Sequence, residues 1–286
     1  MAQEQPAPYG SGGKSSEPAK KQRIRIPYLR KMKESGQKWA MLTAYDMYTA
    51  AIFEEADIPV LLVGDSASNN VFGNDSSLPV TVDELIPLVR AVSRSTHRPL
   101  IIADLPFGSY QASAKQCFKT AARFMKEGGA HAVKLEGGRE MLPQVRKLVS
   151  SGIPVMAHIG FTPQAEHQLG GYRVQGRGGR AQDLLETASA FEEAGAFALL
   201  IEMIPEPVAT EITQSVSIPT VGIGAGRHCD AQVLVWQDMA GLRGGRLPRF
   251  VKQFANMRTL LRDAARDYMA EVEGGIFPAA EHCFEE

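Results

Sequence analysis

Cysteine is scarce. The 286-residue chain has three (Cys117, Cys229 and Cys283), far apart and with no CxxC spacing. That argues against a disulfide framework or a cysteine-ligated zinc site, and it favours a reducing compartment, which predicts a cytoplasmic location. No apolar run is long enough to span a bilayer. Excess charge is missing too: 31 Lys and Arg stand against 32 Asp and Glu, a formal net charge of -1, which gives no ground for a nucleic-acid or membrane partner. The first 23 residues have neither the apolar core of a signal peptide nor an Arg-rich amphipathic pattern. They are rich in Pro, Gly, Ser, Gln and Lys, and they predict a disordered tail ahead of one domain over residues 24–286.

What the sequence does contain is a repeating alternation. Eight apolar runs are separated by helical segments: Trp39–Asp46, Pro59–Ser66, Pro99–Pro106, His131–Gly138, Pro154–Gly160, Phe197–Glu202, Pro219–Gly226 and Gln232–Asp238. Strands alternating with helices define a parallel α/β fold, and a count of eight over this length predicts a closed (β/α)8 TIM barrel, with a doubly wound open sheet as the alternative. A helix from Pro27 to Glu34 would cover the barrel bottom. Thr81 and Glu84 have capping-box spacing. Phe118, Ala121, Ala122 and Met125 predict a buried stripe on the helix after the third strand, ended by Gly128-Gly129. Gly170 to Gly179 reads as a glycine-rich loop able to act as a lid. Apolar residues from Leu247 to Val272 recur at helical spacing and predict one long C-terminal helix.

The run Val133-Lys-Leu-Glu136 carries the chemical argument. In a strand, alternate side chains share a face, so Lys134 and Glu136 point one way and Val133 and Leu135 the other. In a parallel barrel the aliphatic face packs under helices and the charges collect at the C-terminal mouth. The predicted strand ends also offer Asp46, Asp65-Ser66, Asp104, His158, Glu202 and Asp238. Any one of these is ordinary, since a carboxylate there can cap the next helix. Together they require a reason, because unpaired charges do not converge without one. Gly222-Ile-Gly-Ala-Gly226 resembles part of a phosphate loop but lacks the last glycine of GxGxxG. Several carboxylates beside a lysine, without clustered Cys or His, suit a hard divalent cation such as Mg2+. Such an ion could polarise a 2-oxo acid, Lys134 could offset charge on an enolate, and Glu202 would be free to act as a general base.

These residues fall in a series of motifs that resembles the ketopantoate (3-methyl-2-oxobutanoate) hydroxymethyltransferase family. The motifs are Met41-Leu-Thr-Ala-Tyr-Asp46, Val63-Gly-Asp-Ser66, Asp75-Ser-Ser-Leu-Pro-Val-Thr81, Ala103-Asp-Leu-Pro-Phe107, Val133-Lys-Leu-Glu-Gly-Gly138, His158-Ile-Gly-Phe-Thr-Pro-Gln164, Gly170-Gly-Tyr-Arg-Val-Gln-Gly-Arg177, Glu202, Val221-Gly-Ile-Gly-Ala-Gly226 and Phe277-Pro-Ala-Ala-Glu-His282. They run in order from Ile24 to Phe284. The resemblance implies a barrel of the phosphoenolpyruvate mutase and isocitrate lyase superfamily. It also implies transfer of a one-carbon unit from 5,10-methylenetetrahydrofolate to 3-methyl-2-oxobutanoate, giving 2-dehydropantoate for pantothenate and coenzyme A synthesis. It places Mg2+ on Asp65 and Asp104, with Glu136 joining the metal site through water. Asp65, Ser66, Asp104, Lys134 and His158 would hold the substrate, and Glu202 would remove the C3 proton. The family implies a homo-oligomer, commonly a decamer of two stacked pentamers.

The chain departs from the family pattern at Ala165-Glu-His167, at Gly179 and at Ala231. All three leave the proposed metal and base positions intact and bear on the folate contacts, loop closure and turnover rate. Two other readings compete. One is a metal-dependent lyase or mutase of the same superfamily acting on another small 2-oxo acid. The other is a non-catalytic oligomeric paralogue.

Overall fold

The computed structural model describes residues 22–284. Most of the stretch read as a tail, residues 1–21, lies outside the described residues. Arg23 is tied down, its guanidinium donating to the carbonyls of Thr96 and Pro99.

The elements run α1 (Ile26–Glu34), β1 (Trp39–Thr43), α2 (Met47–Glu55), β2 (Val60–Val63), α3 (Ala67–Asn70), α4 (Val82–Ser95), β3 (Leu100–Asp104), α5 (Ala114–Arg123), β4 (Ala132–Glu136), α6 (Leu142–Ser150), β5 (Val155–Gly160), α7 (Glu166–Leu169), α8 (Arg180–Glu193), β6 (Ala198–Glu202), α9 (Glu206–Ser215), β7 (Thr220–Ile223), β8 (Ala231–Leu234), α10 (Trp236–Met239) and α11 (Met257–Glu273). All eight strands are parallel and pair in sequence order, and β8 returns to β1 to close a barrel.

The two-residue period of the strands sorts the core into two clusters. Met41, Val60, Leu62, Leu100, Ile102, Ala132, Met156, Leu200 and Val233 fill the interior. Leu29 and Met32 of α1 join this cluster from below, which is the bottom cover expected of that helix. Leu61, Ile101, Val133, Leu135, Ala157 and Ile201 face outward and pack under the helices. Val133 and Leu135 therefore lie outside and Lys134 and Glu136 inside, as the alternation requires. The Thr81–Glu84 capping box opens α4.

Several local expectations are corrected. The segment after β2, whose small and polar residues from Ala67 to Pro79 read as a loop, begins with the short helix α3. On α5 the buried stripe is Cys117, Thr120 and Ala121, continued by Phe124. It falls one residue earlier than the apolar count predicted, because Cys117 and Thr120 take core positions. Phe118 and Met125 pack only half-buried beside it. The eighth strand stops at Leu234, and Asp238 sits on α10 rather than at a strand end. The C-terminal helix starts only at Met257, with Leu247 to Phe254 outside it, and none of its residues is buried. Cys117, Cys229 and Cys283 are free thiols. Among the described residues no helix is long and apolar enough to cross a membrane.

Candidate active site

Parallel pairing brings the strand ends into one ring at the mouth. The register sets Asp104 beside Lys134, Glu136 beside His158, and Gly160 beside Glu202. Asp65 and Ser66 follow β2 by way of Gly64. A methyl group on Gly64 would press on the Ser66 hydroxyl and the Asp104 carboxylate, so this glycine lets the two acidic chains approach. Gly160, at φ +97°, is constrained twice over: its backbone is in the left-handed region, and a Cβ there would overlap the Glu202 carbonyl.

Lys134 is the buried cation at the centre. Its Nζ lies 2.6 Å from Asp104 Oδ1 and 3.2 Å from Glu136 Oε1. Burial alone would lower its pKa, but the charges of Asp104, Glu136 and Asp65 outweigh burial and hold it above the ordinary lysine value. Glu136 Oε1 also meets His158 Nδ1 at 3.1 Å. Burial pushes against the Glu136 carboxylate, yet Lys134, then His158 and two hydrogen bonds, bring it down to about 2. Burial is the largest influence on His158 and disfavours its charged form, but the Glu136 charge, with the contacts to Glu136 and Glu202, outweighs burial and raises it to about 9. His158 is therefore imidazolium at neutral pH. Its Nε2 stands 3.4 Å from Glu202 Oε2, an ion-pair separation without hydrogen-bond alignment. A chain of contacts thus runs from Asp104 through Lys134, Glu136 and His158 to Glu202.

The acidic side of the mouth is under electrostatic strain. Burial, then the charges of Asp104 and Glu136, hold the Asp65 carboxyl well above its usual range. Burial also raises Asp104, with Lys134 working against it. A cation beside these two groups would relieve both. Among the described residues no three His, Cys, Asp or Glu side chains form a ready ligand set. Asp104 Oδ1 is engaged by Lys134 and its Oδ2 by the Asp65 backbone N–H, while both Glu136 oxygens accept from neighbours. Two carboxylates, in place of a closed protein cage, would suit Mg2+, which keeps several of its waters. The donors are all oxygen, which fits a hard ion and not zinc.

Three uncharged side chains, not singled out from the sequence, fix these groups. Gln164 donates Nε2 to Asp65 Oδ2 at 2.9 Å and to the Leu105 carbonyl at 3.0 Å, and its backbone N–H donates to Glu136 Oε2 at 3.0 Å. Tyr110, fully buried, directs its hydroxyl at Gln164 Oε1 (2.7 Å) and accepts from the Glu136 N–H. The Tyr45 hydroxyl meets Ser66 Oγ at 2.7 Å. The available signal was position: Gln164 and Tyr45 lie in motifs just past β5 and β1. Asp46 and Asp238 fall outside the ring. Asp46 caps α2 by accepting from the backbone of Tyr48 and Thr49, and Asp238 is buried on α10 with Arg243 at 3.6 Å.

The glycine-rich loop borders the mouth. Tyr172 leans on Phe161 with ring centroids 4.7 Å apart, and the Gln175 N–H donates to the Met203 carbonyl one residue past Glu202.

This fold and ring define a parallel (β/α)8 barrel enzyme with its charged side chains gathered at one mouth. A structure of phosphonopyruvate hydrolase, in complex with oxalate and Mg2+, superposes with a TM-score of 0.59 at 14% identity, covering 90% of this chain and 92% of that one. 2,3-Dimethylmalate lyase, a member of the phosphoenolpyruvate mutase and isocitrate lyase superfamily, gives 0.55 at 14% identity over 91% of each chain. The family model for ketopantoate hydroxymethyltransferase matches residues 23–280. A 3-methyl-2-oxobutanoate hydroxymethyltransferase from a Nocardioides species is 65% identical over 99% of this chain and 98% of its own length. The enzyme of that name from Saccharopolyspora erythraea is 60% identical, covering 98% and 93%. The chain belongs to the ketopantoate hydroxymethyltransferase family.

Proposed function

We propose that this protein transfers a hydroxymethyl group from 5,10-methylenetetrahydrofolate to 3-methyl-2-oxobutanoate, forming 2-dehydropantoate in the cytoplasm. The observation that carries this reading is the contact chain Asp104–Lys134–Glu136–His158–Glu202, which sets a carboxylate base and a buried cation on either side of one mouth. Asp65, Ser66, Asp104, Lys134 and His158 hold the 2-oxo acid. Asp65 and Asp104 hold Mg2+ directly, and Glu136 reaches it through water. When bound, the ion supplies a Lewis acid for the oxygens of the 2-oxo acid.

Glu202 takes the C3 proton. His158, charged and anchored on Glu136, stands against the Glu202 carboxylate and orients it. Lys134 faces the negative charge that develops as the proton leaves. The C3 carbon then forms a bond to the one-carbon unit and water supplies its hydroxyl, while both bonds from that unit to folate N5 and N10 break; the C3 proton and the second water proton pass to those nitrogens, and tetrahydrofolate departs. The glycine-rich loop from Gly170 to Gly179 acts as the lid over this step.

Residues 24–286 serve as one catalytic domain, and the protein works as a homo-oligomer, a decamer by family resemblance. The surface of α11 supports assembly: Leu260, Leu261, Tyr268 and Met269 are all more than half exposed, an apolar face that a monomer seldom leaves to water. Proton NMR in D2O tests the reaction. Mg2+-dependent loss of the C3 proton signal, followed by 2-dehydropantoate formation on adding methylenetetrahydrofolate, is the expected result. Exchange without transfer would move the protein to a lyase or mutase reading.

A further inference from the structure

Beside the mouth, the glycine-rich loop and the start of α8 border an open cavity of roughly 440 Å3 lined by Arg173, Arg177 and Arg180. Three guanidiniums in one cavity are unusual in a chain whose net charge is -1. Among the described residues none of the three is paired with a carboxylate. Asp183, one turn beyond Arg180, faces Arg139 instead, with Glu186 beside it. The first turn of α8 adds its own positive end, and no side chain caps it. Leu169 and Val174 give the same cavity an apolar wall.

The cavity is coupled to the reacting centre by the chain itself. Tyr172, immediately before Arg173, packs on Phe161, which follows Gly160, the β5 residue paired with Glu202. Gln175, midway between Arg173 and Arg177, is fixed to the backbone of Met203. A ligand reaching from Glu202 along this loop therefore arrives among the three arginines.

The folate donor has that shape. Its pteridine and one-carbon unit form one end, a flat p-aminobenzoyl spacer follows, and the far end is glutamate bearing carboxylates, one more for each γ-linked residue added. Resting on the reaction proposed above, we infer that the Arg173–Arg177–Arg180 cavity receives the glutamyl tail of the folate. The ring spacer lies on Leu169 and Val174, and the guanidiniums pair with carboxylates in the planar manner that suits arginine. The enzyme then prefers donors with several glutamates. Each solvent-exposed guanidinium–carboxylate contact contributes about a two- to fivefold change in affinity.

The test compares the KM for three donors: methylenetetrahydrofolate with three glutamates, with one, and the methylenetetrahydropteroate analogue with none. In the natural protein KM rises in that order by about tenfold or more in total, and the differences shrink with added salt. In the double variant Arg177→Gln, Arg180→Gln the three KM values draw together, and a thermal melt confirms that the fold is intact. Binding of p-aminobenzoyl-triglutamate alone, by calorimetry, follows the same pattern without turnover. Equal KM values in the natural protein, or an unchanged ratio in the variant, overturn the assignment. C3 proton exchange without folate reads the underlying reaction separately. If exchange and transfer from all three donors are absent, the reaction and this cavity's role fall together. If both occur with no tail preference, only the cavity's role falls.

Discussion

Replacing Gln164 with leucine removes an amide and keeps most of its volume. The amide makes four hydrogen bonds, donating to Asp65 and Leu105 and accepting from Tyr110 and Gln111. A buried hydrogen bond is worth about 1 kcal/mol, one to a charged group somewhat more, and partners left without one add a desolvation penalty. The variant should therefore lose about 3–5 kcal/mol of unfolding free energy. Its effect on the metal site should be larger than its effect on the substrate. Burial and the Asp104 charge already disfavour the ionised form of Asp65 that a metal needs, and Gln164 is what orients its second oxygen. Groups that orient a ligand typically contribute 10- to 100-fold to metal affinity. The backbone N–H of Gln164 still donates to Glu136, so the Lys134–Glu136–His158 chain survives. The assay is C3 proton exchange as a function of Mg2+ concentration. The half-saturating Mg2+ concentration should rise by about one to two orders of magnitude, with exchange recovering much of its rate at saturating metal. An unchanged Mg2+ dependence would refute the argument that Gln164 sets the Asp65 carboxylate.

Replacing Lys134 with methionine leaves Asp104 and Glu136 buried without their cation. Denaturant unfolding at pH 7 should show a loss of about 3–5 kcal/mol, diminishing as acid protonates the carboxylates. The raised pKa of His158 makes a signed prediction for the metal-free protein. A histidine moved from 6.5 to about 9 on folding contributes stability that is fully present below pH 6.5 and lost as pH rises through 9. The shift corresponds to about 3 kcal/mol, so unfolding free energy should fall over that window in the natural protein and stay level in His158→Asn. Leu260→Asp combined with Tyr268→Asp places charge on the exposed face of α11, and sedimentation velocity should show a smaller assembly than the natural protein forms.

Much of the barrel was legible because strand and helix periods differ. Lys134 and Glu136 could be placed inside, and Val133 and Leu135 outside, from alternation alone. The ring of charged side chains at the mouth was legible for a related reason: in a parallel barrel each member stands at or beside the end of its own strand. Where local pattern is ambiguous, reading failed. Val233-Leu-Val-Trp236 is apolar throughout, so nothing in it marks the change from β8 to α10. Cys117 and Thr120 do not look like core residues, yet their small side chains fit beneath α5. The stripe on α11 has the right period for burial, but periodicity cannot name the surface that covers it. Gln164, Tyr110 and Tyr45 escaped notice because they carry no charge. Their importance lies in hydrogen bonds spanning up to 99 positions, which no local pattern encodes.

The central claim is that Glu202 is the base that opens the reaction. Glu202→Gln keeps the size of the side chain and removes its basicity. Proton NMR in D2O, with Mg2+ and 3-methyl-2-oxobutanoate and no folate, measures that step alone. The account predicts that C3 exchange slows by about 10²- to 10⁴-fold while the 2-oxo acid still binds by titration. Exchange at the natural rate in this variant would contradict it and remove Glu202 from the base role.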